Sequence, residues 1–319
     1  MQTPSYVNYS MNKFSIAIHG GAGTILKNSI TQEQEAAYLQ ALDEALRISY
    51  SLLENGGNAL DAVMAAVVSL ENCILFNAGR GSVFTKAGTH EMDAAIMNGA
   101  SMQAGAVAGV SKVKNPIALA LKIMQESEHV LLSGDGALLF AKQKGLQIEE
   151  DTYFFSQFRY NQWQQVKNED TVALDHNIQT EKKFGTVGAV ACDVNGDIAA
   201  ATSTGGMTNK NYNRIGDTPI IGAGTYANNN TCAISCTGHG ELFMKAVAAY
   251  DVSCLMEYKG VTLQQAMEIV TLSKLVKIKG EGGMIGVDAN ANVAMVFNSE
   301  GMYRGMHSSN GQKEVAIYS

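Results

Sequence analysis

One stretch, residues 185–193 (GTVGAVACD), constrains the fold of this chain more than any other. Thr186 follows a glycine and opens an apolar run with β-branched residues, which is typical of a buried strand. The threonine has two interpretations. It is either a strand former after a turn glycine, which is common, or a future N-terminus whose hydroxyl and freed amine act as nucleophile and base. A free threonine amine titrates at about 7.7–8.0, so it can accept a proton near neutral pH.

The segments around this stretch predict a hairpin that follows an irregular region. Residues 186–194 and 198–204 have the pattern of two strands, and Asn195-Gly196-Asp197 between them is a strong hairpin turn. Residues 149–184 are polar and keep no periodicity, so they predict a loop, a nick or local disorder.

The rest of the chain predicts strands and helices in both halves. A helix is expected from the cap Thr31 to about residue 54, and an apolar one over residues 58–71. A strand over 14–19 precedes the glycine turn 20–23, and His19 beside that turn is interpreted as a structural histidine. Further predicted strands cover residues 82–85, 91–97, 104–111, 130–132, 219–223 and 231–236, with three or four more at the C-terminus. Further predicted helices cover residues 116–126, 137–144, a stretch ending near 250, and 262–277. This order predicts two sheets covered by helix layers within one domain.

Composition excludes several classes of function. The chain has 319 residues, 46% of them hydrophobic, and a net charge of −7 without a basic block, so no nucleic-acid partner is expected. Its five cysteines are odd in number and have no CxxC spacing, which indicates reduced thiols in a cytoplasmic protein. The first residues lack the apolar core of a signal peptide, and no run approaches 18 apolar residues, so no membrane partner is expected.

Six motifs, in order along nearly the whole chain, resemble plant-type L-asparaginases, also called isoaspartyl peptidases. The motifs are residues 19–23 (HGGAG), 76–79 (FNAG), 185–190 (GTVGAV), 202–207 (TSTGGM), 214–217 (RIGD) and 236–241 (CTGHGE). The resemblance implies an α+β fold, the four-layer αββα sandwich of N-terminal-nucleophile hydrolases. It also implies that residues 1–319 form a single domain, which cleaves itself into an α subunit (1–185) and a β subunit (186–319).

The resemblance implies a catalytic set. Thr186 would attack the Gly185 carbonyl during self-cleavage, and afterwards the side-chain amide of the substrate. Thr204 would hydrogen-bond the new amine and tune its basicity. The Thr237 hydroxyl and the Gly238 N–H would stabilise the negative charge of the tetrahedral intermediate, where one donor is typically worth about 10²–10³ in rate.

Substrate recognition is implied by the same resemblance. A guanidinium at Arg214 can hold an α-carboxylate through two parallel bonds, and Asp217 can hold an α-ammonium. By spacing alone these two residues could equally form a surface ion pair. Gly240 and Asn77 complete the expected substrate-binding set, together with Thr237 and Gly238. Many relatives have threonine at the position of His239, so no catalytic role is assigned to it.

The family also has a structural sodium ion, held by backbone carbonyls, and carbonyl oxygens suit such a hard cation. The corresponding carbonyls belong to Leu70, Glu71, Cys73, Phe76, Ala78 and Arg80. No cofactor is expected for catalysis itself.

The expected reaction is hydrolysis of L-asparagine and of β-aspartyl (isoaspartyl) dipeptides through a β-aspartyl ester on Thr186. A dimer of cleaved α/β protomers is expected from the family. One alternative is a glycosylasparaginase-like hydrolase, against which the absent signal peptide and unpaired cysteines argue. Another is an uncleaved, non-catalytic protein that binds amino acids. The six histidines have no HExxH or comparable spacing, which argues against a metallohydrolase.

Overall fold

The computed structural model of the chain describes residues 13–25, 27, 30–168 and 185–318. The strands are β1 (Ser15–Gly23), β2 (Met92–Asn98), β3 (Ala104–Val110), β4 (Leu131–Ser133), β5 (Val187–Cys192), β6 (Ile198–Thr204), β7 (Thr225–Ala227), β8 (Ala233–Gly238), β9 (Gly282–Val287), β10 (Val293–Phe297), β11 (Gly301–Ser308) and β12 (Lys313–Tyr318). The helices are α1 (Gln32–Glu54), α2 (Ala59–Asn72), α3 (Pro116–Glu126), α4 (Gly134–Gln143), α5 (Asp151–Phe154), α6 (Gln157–Val166), α7 (Gly240–Ala246), α8 (Ala248–Lys259) and α9 (Leu263–Glu268).

The strands form two sheets. The larger has the order β12-β11-β1-β5-β6-β2-β3-β4, and the smaller has the order β10-β9-β8-β7. Helices α1, α2 and α3 pack on one face of the larger sheet, whose other face packs against the smaller sheet. Helices α8 and α9 cover the far side of the smaller sheet. The predicted four-layer αββα sandwich is therefore confirmed.

Strand β5 shows why its sequence is an unbroken apolar run. Val187, Ala189 and Ala191 belong to the core under the helices, while Val190 and Cys192 belong to the core between the two sheets. A strand that is buried on both faces has no polar side, so the usual alternation disappears. Its antiparallel neighbour β6 is buried in the same way.

The predicted hairpin is confirmed, and its register positions two threonines. Val187 pairs with Ser203 and Cys192 pairs with Ile198 across β5 and β6. Thr186 and Thr204 therefore lie opposite each other, at the end of the hairpin that is farther from the turn.

The predicted irregularity of residues 149–184 is wrong for its first part, because residues 151–166 form the short helices α5 and α6. Tertiary contacts stabilise them. The Arg159 guanidinium donates from Nε to the Gly81 carbonyl at 3.1 Å, and the Trp163 ring stacks on Phe84 with centroids 5.6 Å apart. A polar segment with little helical periodicity thus becomes ordered through contacts that a local pattern does not encode. Residues 169–184 of this prediction lie outside the described residues.

Two further predictions of strands are wrong. Residues 82–85 follow a 3₁₀ turn (Gly79–Gly81) and form no strand, because only Thr85 makes an isolated bridge, to Lys210. Residues 219–223 form successive turns, in which Ile220 N–H donates to the Asp217 carbonyl and Ala223 N–H to the Ile220 carbonyl. Their apolar side chains pack as a loop, which a window of a few residues does not distinguish from a strand.

Two boundaries also differ from the sequence prediction, and a third element keeps its predicted bounds but changes its type of helix. The glycine turn at residues 20–23 is part of β1, with an irregular register between His19 and Gly21. The helix expected to end near residue 250 breaks at Val247, whose φ of 48° is left-handed, and resumes as α8. The helix over 262–277 has the predicted cap at Thr262 and contains a π-helical stretch, Ile269–Leu275.

Candidate active site

The site is built around the end of the β5–β6 hairpin. The Thr186 hydroxyl donates to the Thr204 hydroxyl oxygen at 3.1 Å, and the Thr204 hydroxyl donates to the Gly185 carbonyl at 2.9 Å. The Gly206 N–H also donates to the Thr204 oxygen, at 3.0 Å. These bonds form one directed path from the Thr186 hydroxyl to the carbonyl of the preceding peptide bond.

Asn77 holds the loops on either side of this path. Its side chain donates to the Gly206 carbonyl at 2.7 Å and accepts from the Val83 N–H at 3.0 Å. A Cβ on Gly185 would lie 2.3 Å from the Asn77 Cβ. Glycine is thus required at position 185 because the chain passes directly over Asn77. The amide of Asn77 is largely engaged by the scaffold, so its main action is to shape the pocket.

A pocket opens beside Thr186 and contains most of the residues that the sequence proposed. Its cavity volume is about 40 Å³. Its lining includes Asn77, Gly185, Thr186, Thr204, Arg214, Asp217, Gly238 and Gly240, together with Val83, Gly206, Met207, Thr208, Gly216 and Thr218. The structure therefore brings residues from both halves of the chain to one concave surface.

Asp217 contributes a buried carboxyl group to the pocket lining. The residue is 5% exposed, and its Oδ2, which lies on the side of Gly224, has no hydrogen-bond partner among the described residues. Its Oδ1 lies on the side of Gly240, which also lines the pocket. Burial raises the pKa of Asp217 to about 7, although the nearby Arg214 charge opposes this rise. A buried carboxylate with an unpaired oxygen is costly, so the site favours a ligand that brings a cation next to Asp217.

Arg214 has a partner that the sequence reasoning missed. Its Nε and Nη2 donate to the two carboxylate oxygens of Glu241, each at 2.8 Å. Burial works to raise the pKa of Glu241, but the Arg214 bonds and charge lower it overall. This forked pairing fixes the guanidinium plane. The motif at residues 236–241 contains the glutamate, but nothing in its spacing indicates an arginine 27 residues earlier.

His239 lies next to this ion pair. Its Nε2 is 3.5 Å from a carboxylate oxygen of Glu241. His239 thus lies near Glu241, the residue that orients Arg214. Arg214 lines the pocket, and His239 does not.

Gly240 leaves open the space between Arg214 and Asp217. A Cβ at this position would lie 2.8 Å from Arg214 Nη2 and 3.0 Å from Asp217 Oδ1. Any larger side chain would therefore occupy the space between the guanidinium and the carboxylate. The expected part of Gly240 in substrate binding stays a prediction.

Thr237 and Gly238 are the last two residues of strand β8, and of the two only Gly238 belongs to the pocket lining. The Thr237 side chain is buried, and its oxygen accepts from the Ala22 N–H at 3.3 Å, so its hydroxyl proton is available for another acceptor. Gly238 lines the pocket, and its φ is 148°. A Cβ at this position would lie 2.4 Å from the Glu281 carbonyl oxygen. The expected role of these two residues in charge stabilisation stays a prediction.

The six carbonyls proposed to hold sodium belong to the end of α2 (Leu70 and Glu71), the loop after it (Cys73, Phe76 and Ala78) and the 3₁₀ turn (Arg80). Three of them, at Leu70, Phe76 and Ala78, accept backbone N–H bonds in the loop. A carbonyl oxygen has a second lone pair, so this arrangement is compatible with an oxygen-only site. The sodium ion stays a prediction.

Comparisons with known proteins assign the chain to a family. A profile of the family described as Asparaginase matches residues 12–317. The chain belongs to this asparaginase family. An isoaspartyl peptidase of Salmonella typhimurium is 50% identical over 97% of this chain and 99% of its own. An isoaspartyl peptidase of Escherichia coli is 47% identical over 97% of both chains. A plant-type L-asparaginase of Pyrococcus abyssi is 40% identical over 95% of this chain and 99% of its own.

Membership of the family was predicted from the six motifs, and it is confirmed over residues 12–317. Two other findings concern the asparaginase-family chain as a whole. All five of its cysteines are free thiols. Within the described ranges, no helix is long and apolar enough to cross a membrane.

Proposed function

We propose that this chain is a self-cleaving threonine hydrolase that acts on L-asparagine and on β-aspartyl dipeptides. One observation carries the proposal: the Thr186 hydroxyl, linked through Thr204 to the Gly185 carbonyl, lies in a pocket with Arg214 and an unpaired Asp217. The relatives named isoaspartyl peptidase and L-asparaginase support this substrate class.

Self-cleavage uses the directed path of hydroxyl groups. The Thr186 oxygen attacks the Gly185 carbonyl carbon, while its proton passes to Thr204 and the Thr204 proton passes to the carbonyl oxygen. Collapse of this intermediate breaks the C–N bond and leaves an ester between Gly185 and the Thr186 oxygen, with a free amine on Thr186. Water then hydrolyses the ester, and the Gly185 carboxylate is released.

Cleavage also creates room for the substrate. Gly185 forms part of the pocket lining, so its departure enlarges the pocket next to the nucleophile. We expect the uncleaved chain to bind asparagine more weakly than the cleaved chain, even where Arg214 and Asp217 are already in place.

In turnover, Thr186 acts as both nucleophile and base. Its amine accepts the hydroxyl proton as the oxygen attacks the side-chain carbonyl carbon of the substrate. The tetrahedral oxyanion is stabilised by the Thr237 hydroxyl and the Gly238 N–H. The amine proton then passes to the leaving group, which departs as ammonia or as an amino acid. Water attacks the resulting β-aspartyl ester, and aspartate is released.

Recognition depends on the α-amino and α-carboxylate groups that both substrates share. Arg214, held in place by Glu241, binds the carboxylate, and Asp217 binds the ammonium. This pairing neutralises the buried Asp217 charge and turns the side-chain amide toward Thr186. The group beyond the scissile bond is not held by this pair, so an amide and a peptide bond are both admitted.

Substitution of the nucleophile tests the proposal. Purified wild-type chain is expected to give two bands on a denaturing gel, and N-terminal sequencing of the smaller one is expected to begin Thr-Val-Gly-Ala. Thr186→Ala is expected to stay as one chain and to hydrolyse neither asparagine nor β-Asp-Leu. A single band in a preparation that is active would overturn the mechanism, and an intact, inactive wild-type chain would favour a non-catalytic binding protein.

Further parts of the proposal concern the state of the protein. We propose a cytoplasmic enzyme in which two cleaved protomers associate, with a sodium ion bound by the loop over residues 70–80. Light scattering of the cleaved protein tests the dimer. Thermal unfolding in sodium chloride and in choline chloride of equal ionic strength tests the ion.

A further inference from the structure

A chain of buried polar side chains runs between the two sheets and ends at the nucleophile. His19 Nδ1 is 2.9 Å from the Thr186 carbonyl oxygen, and His19 Nε2 is 2.8 Å from Ser235 Oγ. Ser235 Oγ is 2.7 Å from Thr202 Oγ1, which is 2.7 Å from Thr225 Oγ1. All four of these side chains are fully buried. They come from β1, β8, β6 and β7. This hydrogen-bonded series, from His19 through Ser235 and Thr202 to Thr225, is called the relay below, and it joins both sheets.

The Thr186 carbonyl fixes the direction of every bond in the relay. A carbonyl only accepts, so His19 must carry its proton on Nδ1. Nε2 then accepts from the Ser235 hydroxyl, Ser235 accepts from Thr202, and Thr202 accepts from Thr225. Burial lowers the pKa of His19 to about 3, although its bond to the Thr186 carbonyl opposes this shift. His19 therefore remains a neutral donor at physiological pH, which agrees with its interpretation as a structural histidine.

The relay explains a glycine in the nucleophile motif. Gly188 is the cross-strand partner of His19. A Cβ at position 188 would lie 2.0 Å from Ser235 Oγ and 2.4 Å from His19 Nε2. The glycine is therefore required for the space that the relay occupies, two residues after Thr186.

The strand ladders do not hold Thr186 itself. The ladder between β5 and β1 ends at Gly188, and the ladder between β5 and β6 ends at Val187. After cleavage Thr186 is a chain terminus, and an untethered terminus is poorly ordered. The hydrogen bond from His19 Nδ1 to the Thr186 carbonyl thus holds the main chain at a residue that the strand ladders do not reach.

We propose that His19 is a positioning residue, whose Nδ1–H tethers the Thr186 carbonyl and keeps the nucleophile aimed in the cleaved enzyme. The inference rests on the proposed role of Thr186 as the nucleophile. His19 touches neither the substrate nor the reacting atoms, so its effect is on the order of Thr186 and not on substrate binding.

Two amide substitutions separate the two ends of the imidazole ring. His19→Asn places an N–H near the position of Nδ1 and keeps the tether. His19→Gln places its amide near Nε2, keeps a partner for Ser235 and loses the tether. We expect His19→Gln to lose about tenfold in kcat at unchanged KM, the effect of one ordinary hydrogen bond. We expect His19→Asn to stay within about threefold of wild type.

Equal kcat values for the two variants would overturn the inference, as would a His19→Gln effect that appears in KM alone. A measurement on the unmodified enzyme covers the case in which a variant does not fold. Long-range ¹⁵N–¹H correlation of the histidine rings is expected to show one neutral ring protonated on Nδ1 at pH 7. A spectrum in which every neutral ring is protonated on Nε2 would also overturn it. An active Thr186→Ala variant would instead refute the proposed function.

Discussion

The substitution Asp217→Asn removes the charge that is expected to hold the substrate ammonium, and it keeps the side chain nearly isosteric. Asp217 is 5% exposed, and its Oδ2 has no partner among the described residues. A hydrogen bond to a charged group contributes about 1.5–3 kcal/mol. The loss therefore corresponds to a decrease of roughly 10- to 150-fold in kcat/KM for asparagine.

The assay compares asparagine with succinamate, which has the same carboxylate and amide but no α-amino group. Asp217→Asn is expected to reduce kcat/KM for asparagine and to leave that for succinamate nearly unchanged. Asp193→Asn is the matched control, because Asp193 is also a buried aspartate but lies at the turn of the β5–β6 hairpin, outside the pocket lining. The control is expected to leave the ratio of the two kcat/KM values unchanged.

The pH dependence provides a second measurement on the same variant. Burial raises the pKa of Asp217 to about 7 in the empty site, so below that pH the residue is protonated and cannot pair with an ammonium. The ratio of asparagine to succinamate activity is expected to rise with pH through about 7 in wild type and to be flat in Asp217→Asn. Titration of the Thr186 amine affects both substrates and cancels in the ratio.

Stability is expected to change in the opposite sense to activity. The pKa of Asp217 is higher in the folded than in the unfolded chain, so the folded state binds more protons and loses stability as pH rises from about 4 to 7. Asp217→Asn removes this loss, so the melting temperature of the variant minus that of wild type is expected to be larger at pH 8 than at pH 4.

An equal loss of activity on asparagine and succinamate would refute the assignment of Asp217 to the ammonium.

Three other substitutions test separate parts of the structure. Gly240→Ala is expected to raise KM for asparagine at least about tenfold, which is the effect of one lost charged contact. The reason is that the new Cβ would lie 2.8 Å from Arg214 Nη2. An unchanged KM in steady-state kinetics would contradict this. Thr204→Val is expected to slow self-cleavage about 10²–10³-fold by removing the donor to the Gly185 carbonyl, whereas Thr204→Ser retains it; a time course on gels compares them. Val247→Gly is expected to raise the free energy of unfolding by up to about 1 kcal/mol, because its φ is 48°; a lower denaturation midpoint would count against strain at this residue.

Much of the fold follows from local patterns. The cap at Thr31 and the apolar composition of residues 58–71 predict α1 and α2 correctly. The errors occur where packing overrides pattern. Residues 151–166 look irregular but form helices because Arg159 and the aromatic rings bind neighbouring loops. Residues 219–223 look like a strand but turn back on themselves.

The two threonines come from one hairpin. The Asp193 N–H donates to the Asp197 carbonyl across a turn in which Gly196 has a φ of 80°, and the resulting register places Thr186 opposite Thr204. An Asn-Gly turn between two apolar runs is a local hairpin signal. The sequence by itself therefore determined the hairpin and the apolar character of its strands, and the structure determined the register that brings the two hydroxyl groups together.

Only the tertiary structure decided what surrounds that pair. Glu241 reaches Arg214, and His19 reaches both Thr186 and Ser235, through contacts that span 27, 167 and 216 positions of the chain. The stacking of two sheets and the docking of loops bring these groups together. Such contacts depend on shape and burial summed over the whole core, which no short stretch of sequence specifies.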